Sequence, residues 1–123
     1  MRRSTSSYPA DWSEIAKHVK DEAGWRCVRC GAEHDPEIGR TLTVHHLDLS
    51  PANCEWWNLL PLCQACHLSI QGRVDLRRRW FLDHTPWFWP YVAGYYASLR
   101  GLPTEREYIM AHLDELLALE NRP

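Results

Sequence analysis

The alternation of apolar and polar positions divides the chain into short helical and extended segments. Residues 11–14 have the spacing of a capping box and open a predicted amphipathic helix that stops at Gly24. The β-branched and apolar stretch 40–47 predicts a strand, and residues 58–62 predict a short return strand. Residues 63–83 then have a helical pattern. This order predicts a hairpin followed by a helix, within an α+β fold.

The C-terminal third is rich in aromatic residues and is predicted to be helical. Residues 85–97 are dense in aromatics, and two prolines predict a turn before a helix at about 91–100. A second capping-box spacing at 104–107 opens a predicted helix to about residue 120. The aromatic run could be core that holds these helices against the rest of the chain, or it could stack on bases.

Composition limits the class of protein. A chain of 123 residues with 45% hydrophobic residues is expected to form one domain. The formal net charge of −2 excludes a globally basic nucleic-acid binder. The sequence contains no signal peptide and no long apolar span. We therefore expect no membrane association, and a location in the cytoplasm of a bacterial or phage-infected cell.

Four of the five cysteines occur in two Cys-x-x-Cys pairs, Cys27/Cys30 and Cys63/Cys66. Such a turn presents two sulfurs to one ion, and zinc prefers four tetrahedral ligands. An odd number of cysteines without a signal peptide argues against a disulfide framework. The two pairs therefore predict a structural zinc site, with redox pairs or buried thiols as the alternative. Cys54 is expected to be a free thiol.

Three histidines and an asparagine surround the second cysteine pair. His45 and His46 lie on the predicted strand, Asn58 begins the return strand, and His67 follows Cys66 directly. A hairpin followed by a helix could bring these side chains to one metal ion apart from the zinc. The alternatives are ordinary strand histidines, a zinc-bound His67 in place of Cys66, and an Asn58 that only forms a turn.

These motifs, in this order, resemble the HNH endonucleases, most closely the short phage and prophage members. The resemblance covers roughly residues 12–83 and is tightest over 25–71. It implies a ββα-metal, treble-clef-like core with a structural zinc knuckle, an N-terminal helix and added C-terminal helices. The matching motifs are Cys27-x-x-Cys30, Val44-His45-His46, Asn58-Leu59 and Cys63-x-x-Cys66-His67.

The resemblance also implies a role for each residue of the motif. His46 would be the general base, and His45 and His67 would bind a catalytic divalent ion. Asn58 would brace the loop that orients the base, or lie close to the metal. The implied reaction is hydrolysis of a DNA phosphodiester to 5′-phosphate and 3′-hydroxyl ends. Two imidazoles suit manganese, nickel, cobalt or zinc as well as magnesium.

The expected organisation is a flexible basic tail at 1–10, a nuclease core at 11–83 and a helical extension at 84–123. A cluster of basic residues after the motif is a candidate DNA contact, or a solvated helix face. The expected partners are DNA and either a phage packaging (terminase) partner or a second copy of the chain. The alternative function is a non-catalytic zinc module that binds nucleic acid or a packaging complex. The basic cluster consists of Arg73, Arg77, Arg78 and Arg79.

Overall fold

A two-stranded antiparallel ribbon lies at the centre of the fold. The computed structural model describes residues 8–48, 50–70 and 86–121, which form a mixed α+β arrangement. Strand β1 (Leu42–His46) pairs with strand β2 (Leu59–Cys63). Both strands lie within one or two residues of the segments predicted from the β-branched and apolar pattern.

The register of the ribbon determines which face each side chain occupies. Leu42 is opposite Cys63 and His46 is opposite Leu59, so the five pairs run without a bulge. Successive side chains of a strand point to opposite faces. His45 and His46, adjacent in sequence, therefore leave β1 on opposite faces of the ribbon.

Two helices cover these two faces. Helix α1 (Trp12–Glu22) lies on the face of His46, where the Trp12 ring packs against the imidazole. Helix α2 (Gln64–Ile70) follows β2 directly and presents His67 to the face of His45. Asp11 is the N-cap of α1, but its side chain makes no capping hydrogen bond. The capping-box spacing thus predicted the start of α1, although the Asp11 side chain does not form the capping hydrogen bond.

The C-terminal part forms three short helices. These are α3 (Trp89–Leu99), α4 (Arg106–Ala111) and α5 (Leu113–Leu117), followed by a 3-10 turn at Ala118–Asn121. The single helix predicted to about residue 120 was wrong, because His112 has φ −124° and ψ 25° and separates α4 from α5. None of the helices among the described residues combines the length and apolar character needed to cross a bilayer.

The aromatic run is part of the hydrophobic core. Phe88, Tyr91 and Tyr96 are buried in one cluster with Trp57 and three of the four leucines of the ribbon. A hydrogen bond of 2.6 Å from Trp56 Nε1 to the Thr104 carbonyl joins the ribbon side to the start of α4. The sequence left two alternatives for this run, core packing and stacking on bases. These buried rings are core residues.

Gly94 allows α3 to approach the 3-10 turn Trp56–Asn58, which precedes β2. A methyl group at this position would overlap the side chain of Trp57, which is 4% exposed. Since Trp57 is held in the core, neither element has free space into which it could move.

We expect Gly94→Ala to destabilise the protein by about 1–3 kcal/mol, because overpacking outweighs the gain in helix propensity of about 1 kcal/mol. Urea unfolding would measure the change. Ser98→Ala, at an exposed position of the same helix, is the control and should be neutral or slightly stabilising. A Gly94→Ala variant more stable than the native protein would contradict the close packing of α3.

Candidate active site and metal centre

Four thiols lie together where β2, α2 and the turn at residues 27–31 meet. We call this turn the first knuckle. The sulfurs of Cys27, Cys30, Cys63 and Cys66 all lie within 4.8 Å of one another, and those of Cys30 and Cys63 are 3.8 Å apart. A tetrahedral zinc ion at about 2.3 Å from each sulfur requires sulfurs about 3.8 Å apart. The cluster could therefore hold a structural ion such as zinc, as the spacing predicted.

The local backbone explains why these thiols converge. Gly31 has φ 79° and donates to the Cys27 carbonyl at 2.9 Å, which closes the first knuckle. The Cys30 amide donates to Cys27 Sγ at 3.4 Å, and Arg29 Nη1 donates to Cys66 Sγ at 3.4 Å. Burial raises the pKa of Cys66 to about 12. The pKa of Cys63 falls to about 7, because hydrogen bonds from the Cys66 backbone and the neighbouring thiols outweigh its burial. A cation is therefore needed to hold all four sulfurs as thiolates together. Cys54 is a free thiol outside the cluster.

The buried His45 and the half-buried His67 meet between β1 and α2. His45 Nδ1 and His67 Nε2 are 3.0 Å apart. Thr43 Oγ1 donates to the Leu62 carbonyl at 2.8 Å and lies 2.9 Å from His67 Nδ1. Because the hydroxyl proton is used on Leu62, Thr43 accepts a hydrogen bond from His67 Nδ1–H. This leaves the lone pair of His67 on Nε2, directed at His45.

The spacing of this pair also fits two ligands of one ion. Two nitrogens about 2.1 Å from an ion and at right angles to each other lie about 3.0 Å apart. The pair is separate from the thiol cluster, and no third histidine, cysteine or carboxylate joins it among the described residues. An ion held there would keep its other positions open to water or a substrate oxygen. His67 therefore pairs with His45 and takes no part in the sulfur cluster.

Burial keeps the three imidazoles neutral. It lowers the pKa of His45 to about 4, with further contributions from His67 and His46. Burial also lowers the pKa of His67. The pKa of His46 is lowered by burial, an effect that Asp48 and the Pro51 backbone partly offset. Neutral imidazoles can bind a metal ion or accept a proton, and protonated ones cannot.

His46 lies on the α1 face and is 8% exposed. Its Nε2 is buried and has no hydrogen-bond partner among the described residues. The Pro51 backbone favours the protonated form of the ring. In the neutral tautomer that carries its proton on Nδ1, His46 Nε2 has a free lone pair.

Asn58 holds the loop that supplies the Pro51 carbonyl. It is fully buried, and its Oδ1 accepts from the Asp48 amide at 2.9 Å. Its Nδ2 donates to Asp48 Oδ1 at 2.9 Å and to the Asn53 carbonyl at 2.8 Å. Asp48 also accepts from Ser50 N at 2.9 Å. Of the two positions expected for Asn58, bracing the loop or lying at the metal, the contacts in the structure are those of the brace.

Two residues of this arrangement were missed in the sequence analysis. Thr43 contacts His67, and its position two residues before His45, on the same face of β1, was a readable signal. The Pro51 carbonyl had no readable signal, because a backbone acceptor in a loop depends on the loop conformation. The predicted DNA-contact cluster at residues 73–79 lies outside the described residues.

Comparisons with known proteins give one partial likeness. A stretch of 66 residues is 32% identical to the Zorya protein ZorE of Escherichia coli, and it covers 53% of this chain and 17% of ZorE. The likeness is therefore to a small part of a longer protein. No protein family matches the chain, and no solved structure matches it. The relative is bacterial, and nothing in these comparisons supports the expected phage context.

We expect Cys63→Ser to lose the bound zinc and to unfold, because the ion joins two segments distant in sequence. The matched control is Cys54→Ser, which removes a thiol outside the cluster and should keep both zinc and fold. Elemental analysis of the purified proteins and circular dichroism on heating would measure the two effects. A zinc-free Cys63→Ser protein with a native, cooperative transition would contradict the structural role.

The lowered pKa of His45 predicts a loss of stability in acid. Between its ordinary pKa of 6.5 and the folded value of about 4, the unfolded chain binds a proton that the folded chain does not. Above pH 6.5, His45 therefore does not lower the free energy of unfolding. Below pH 6.5, the free energy of unfolding falls with decreasing pH, by about 1.4 kcal/mol per pH unit. The measurement is urea unfolding at one equivalent of zinc. The free energy of unfolding should depend less steeply on pH in His45→Asn than in the native protein. His18→Asn, which replaces an exposed side chain, should keep the native pH dependence. Equal slopes for His45→Asn and native protein would refute the burial effect.

Proposed function

We propose that this chain is a metal-dependent DNA endonuclease of the HNH type, which hydrolyses phosphodiester bonds. The observation that supports it most is the 3.0 Å approach of His45 Nδ1 to His67 Nε2, away from the four thiols. A zinc-binding module needs the thiols alone. It has no use for two more buried imidazoles and an unpaired third one, because burial of polar groups is costly.

His46 is the proposed general base. Its Nε2 lone pair accepts a proton from water as the water oxygen forms a bond to phosphorus. The bond from phosphorus to the 3′ oxygen breaks, and that oxygen takes a proton from solvent. The products are a 5′-phosphate and a 3′-hydroxyl. The lowered pKa of His46 keeps the ring neutral and ready to accept the proton near pH 7.

His45 and His67 are the proposed ligands of the catalytic ion. When bound, a divalent ion (magnesium, manganese, nickel, cobalt or zinc) supplies charge stabilisation at the phosphate and at the departing oxygen. Thr43 keeps His67 in the tautomer that offers Nε2. The four thiols hold a separate structural zinc ion.

Asn58 acts through the loop and not on the substrate. It fixes Asp48 and Asn53, and so holds the loop that contains Pro51 and follows His46. His46 and the ion ligand His45 leave β1 on opposite faces, so we place the scissile phosphate at the end of β1, where the base and the ion are both within reach. One such site per chain cuts one strand, so a single copy should nick duplex DNA.

DNA as substrate follows from the resemblance and from the proposed chemistry. The net charge of −2 means that local basic residues must supply the phosphate contacts. The cluster Arg73, Arg77, Arg78 and Arg79 directly follows the motif in sequence, and we propose it for this role. Cutting both strands would need a second copy of the chain or a second event.

We expect the native protein to convert supercoiled plasmid to nicked circles when a divalent ion is added. His46→Ala should lower the rate by about 100-fold or more, since it removes the general base. His18→Ala, with a side chain that is 73% exposed in the native protein, is the matched control and should cut at the native rate. Zinc content should be the same in all three, and DNA ligase should reseal the nicks.

Two results would decide against the proposal. Equal cutting by native protein and His46→Ala would remove His46 from the mechanism. Absence of cutting with every divalent ion, with zinc and fold intact, would favour the non-catalytic zinc module. A gel-shift assay with the same DNA would then show whether that module binds nucleic acid.

A further inference from the structure

The proposed base is covered by two aromatic rings from the N-terminal part of the chain. The Trp12 ring lies 4.9 Å from the His46 ring, at an interplanar angle of 33°. Tyr8 meets the same imidazole edge-on at 5.9 Å and lies 5.3 Å from Trp12. We call these two residues the aromatic cover.

The cover conflicts with the chemistry proposed for His46. A general base must lie within about 2.6–3.2 Å of the water that it deprotonates. His46 Nε2 is buried and has no partner among the described residues. An unpartnered buried acceptor costs about 1–3 kcal/mol, so the packing of the two rings must compensate for it. The described arrangement therefore keeps the reactive nitrogen away from water.

The two rings differ in how firmly they are held. Trp12 is the first residue of α1, and its amide donates to the Pro9 carbonyl at 3.1 Å. Tyr8 precedes α1 and is 39% exposed. Tyr8 can therefore leave without disturbing a helix or the core, whereas Trp12 can move only with the end of α1.

We propose that the aromatic cover is an autoinhibitory contact, in which Tyr8 closes the site over His46 until the departure of its ring admits water to Nε2. This rests on the proposed function for the role of His46 as a base. The closure itself rests only on the burial of Nε2 and on the ring contacts. The two can therefore be tested separately.

Modification of histidine by diethyl pyrocarbonate measures the closure without any need for nuclease activity. The reagent acylates accessible neutral imidazole nitrogens, and tandem mass spectrometry separates His46 from the adjacent His45. A cover that is open about 0.1–10% of the time should slow modification of His46 by about 10-fold or more relative to an uncovered ring. His18, with a side chain that is 73% exposed, is the internal reference.

We expect Tyr8→Ala to raise the modification rate of His46 by about 10-fold or more, with His18 unchanged. Tyr8→Phe keeps the ring and should retain the native protection. Native zinc content and circular dichroism would verify that Tyr8→Ala is folded. A His46 that reacts as fast as His18 in the native protein, or equally slowly in native protein and Tyr8→Ala, would overturn the proposal. Loss of protection in Tyr8→Phe would also contradict it, because the ring contact would then not be the cause.

The plasmid assay adds the functional result. Tyr8→Ala should nick faster than native protein and Tyr8→Phe at the native rate. If Tyr8→Ala exposes His46 to the reagent but no variant cuts DNA, the cover stands and the proposed nuclease function fails. If native protein cuts and Tyr8→Ala cuts no faster despite an exposed His46, the contact is not autoinhibitory.

Discussion

The convergence of four thiols is the constraint on which the rest of the described structure depends. Cys27 and Cys30 lie in a turn after α1, and Cys63 and Cys66 lie where β2 becomes α2. An ion held by all four would tie α1, the ribbon and α2 to one point. For a chain of 123 residues, such a tie compensates for a small hydrophobic core. It also sets the position of His67, which directly follows Cys66.

The described core holds three buried polar side chains, and each belongs to the candidate site. Asn58 satisfies its amide within the loop, while His45 and His46 each leave an Nε2 without a partner among the described residues. Burial of such a nitrogen without a partner is costly. The two faces of the ribbon thus hold different parts of the candidate site. One brings His45 to His67, and the other places His46 against two aromatic rings.

Sequence patterns predicted the strands, helices and turns best where a signal within a few residues determines them. The β-branched stretch marked β1, and the cysteine spacing marked the knuckle, because these signals act within a few residues. The C-terminal helix was predicted as continuous, yet it breaks at His112. Ile109 and Leu116, on either side of the break, lie in one buried cluster with Ala93 and Ala97 of α3. Residues seven apart share a face in a continuous helix as well, so helical periodicity could not reveal the break.

The sequence by itself determined the ligand types, their order and the faces of the strand, because side-chain alternation and Cys-x-x-Cys spacing are local properties. Only the tertiary structure decided which nitrogens meet, that Thr43 selects the tautomer of His67, and that Asn58 acts on the Pro51 loop. It alone placed Tyr8 and Trp12 over His46. These contacts join segments far apart in sequence, so their geometry depends on the packing of α1, the ribbon and α2 together.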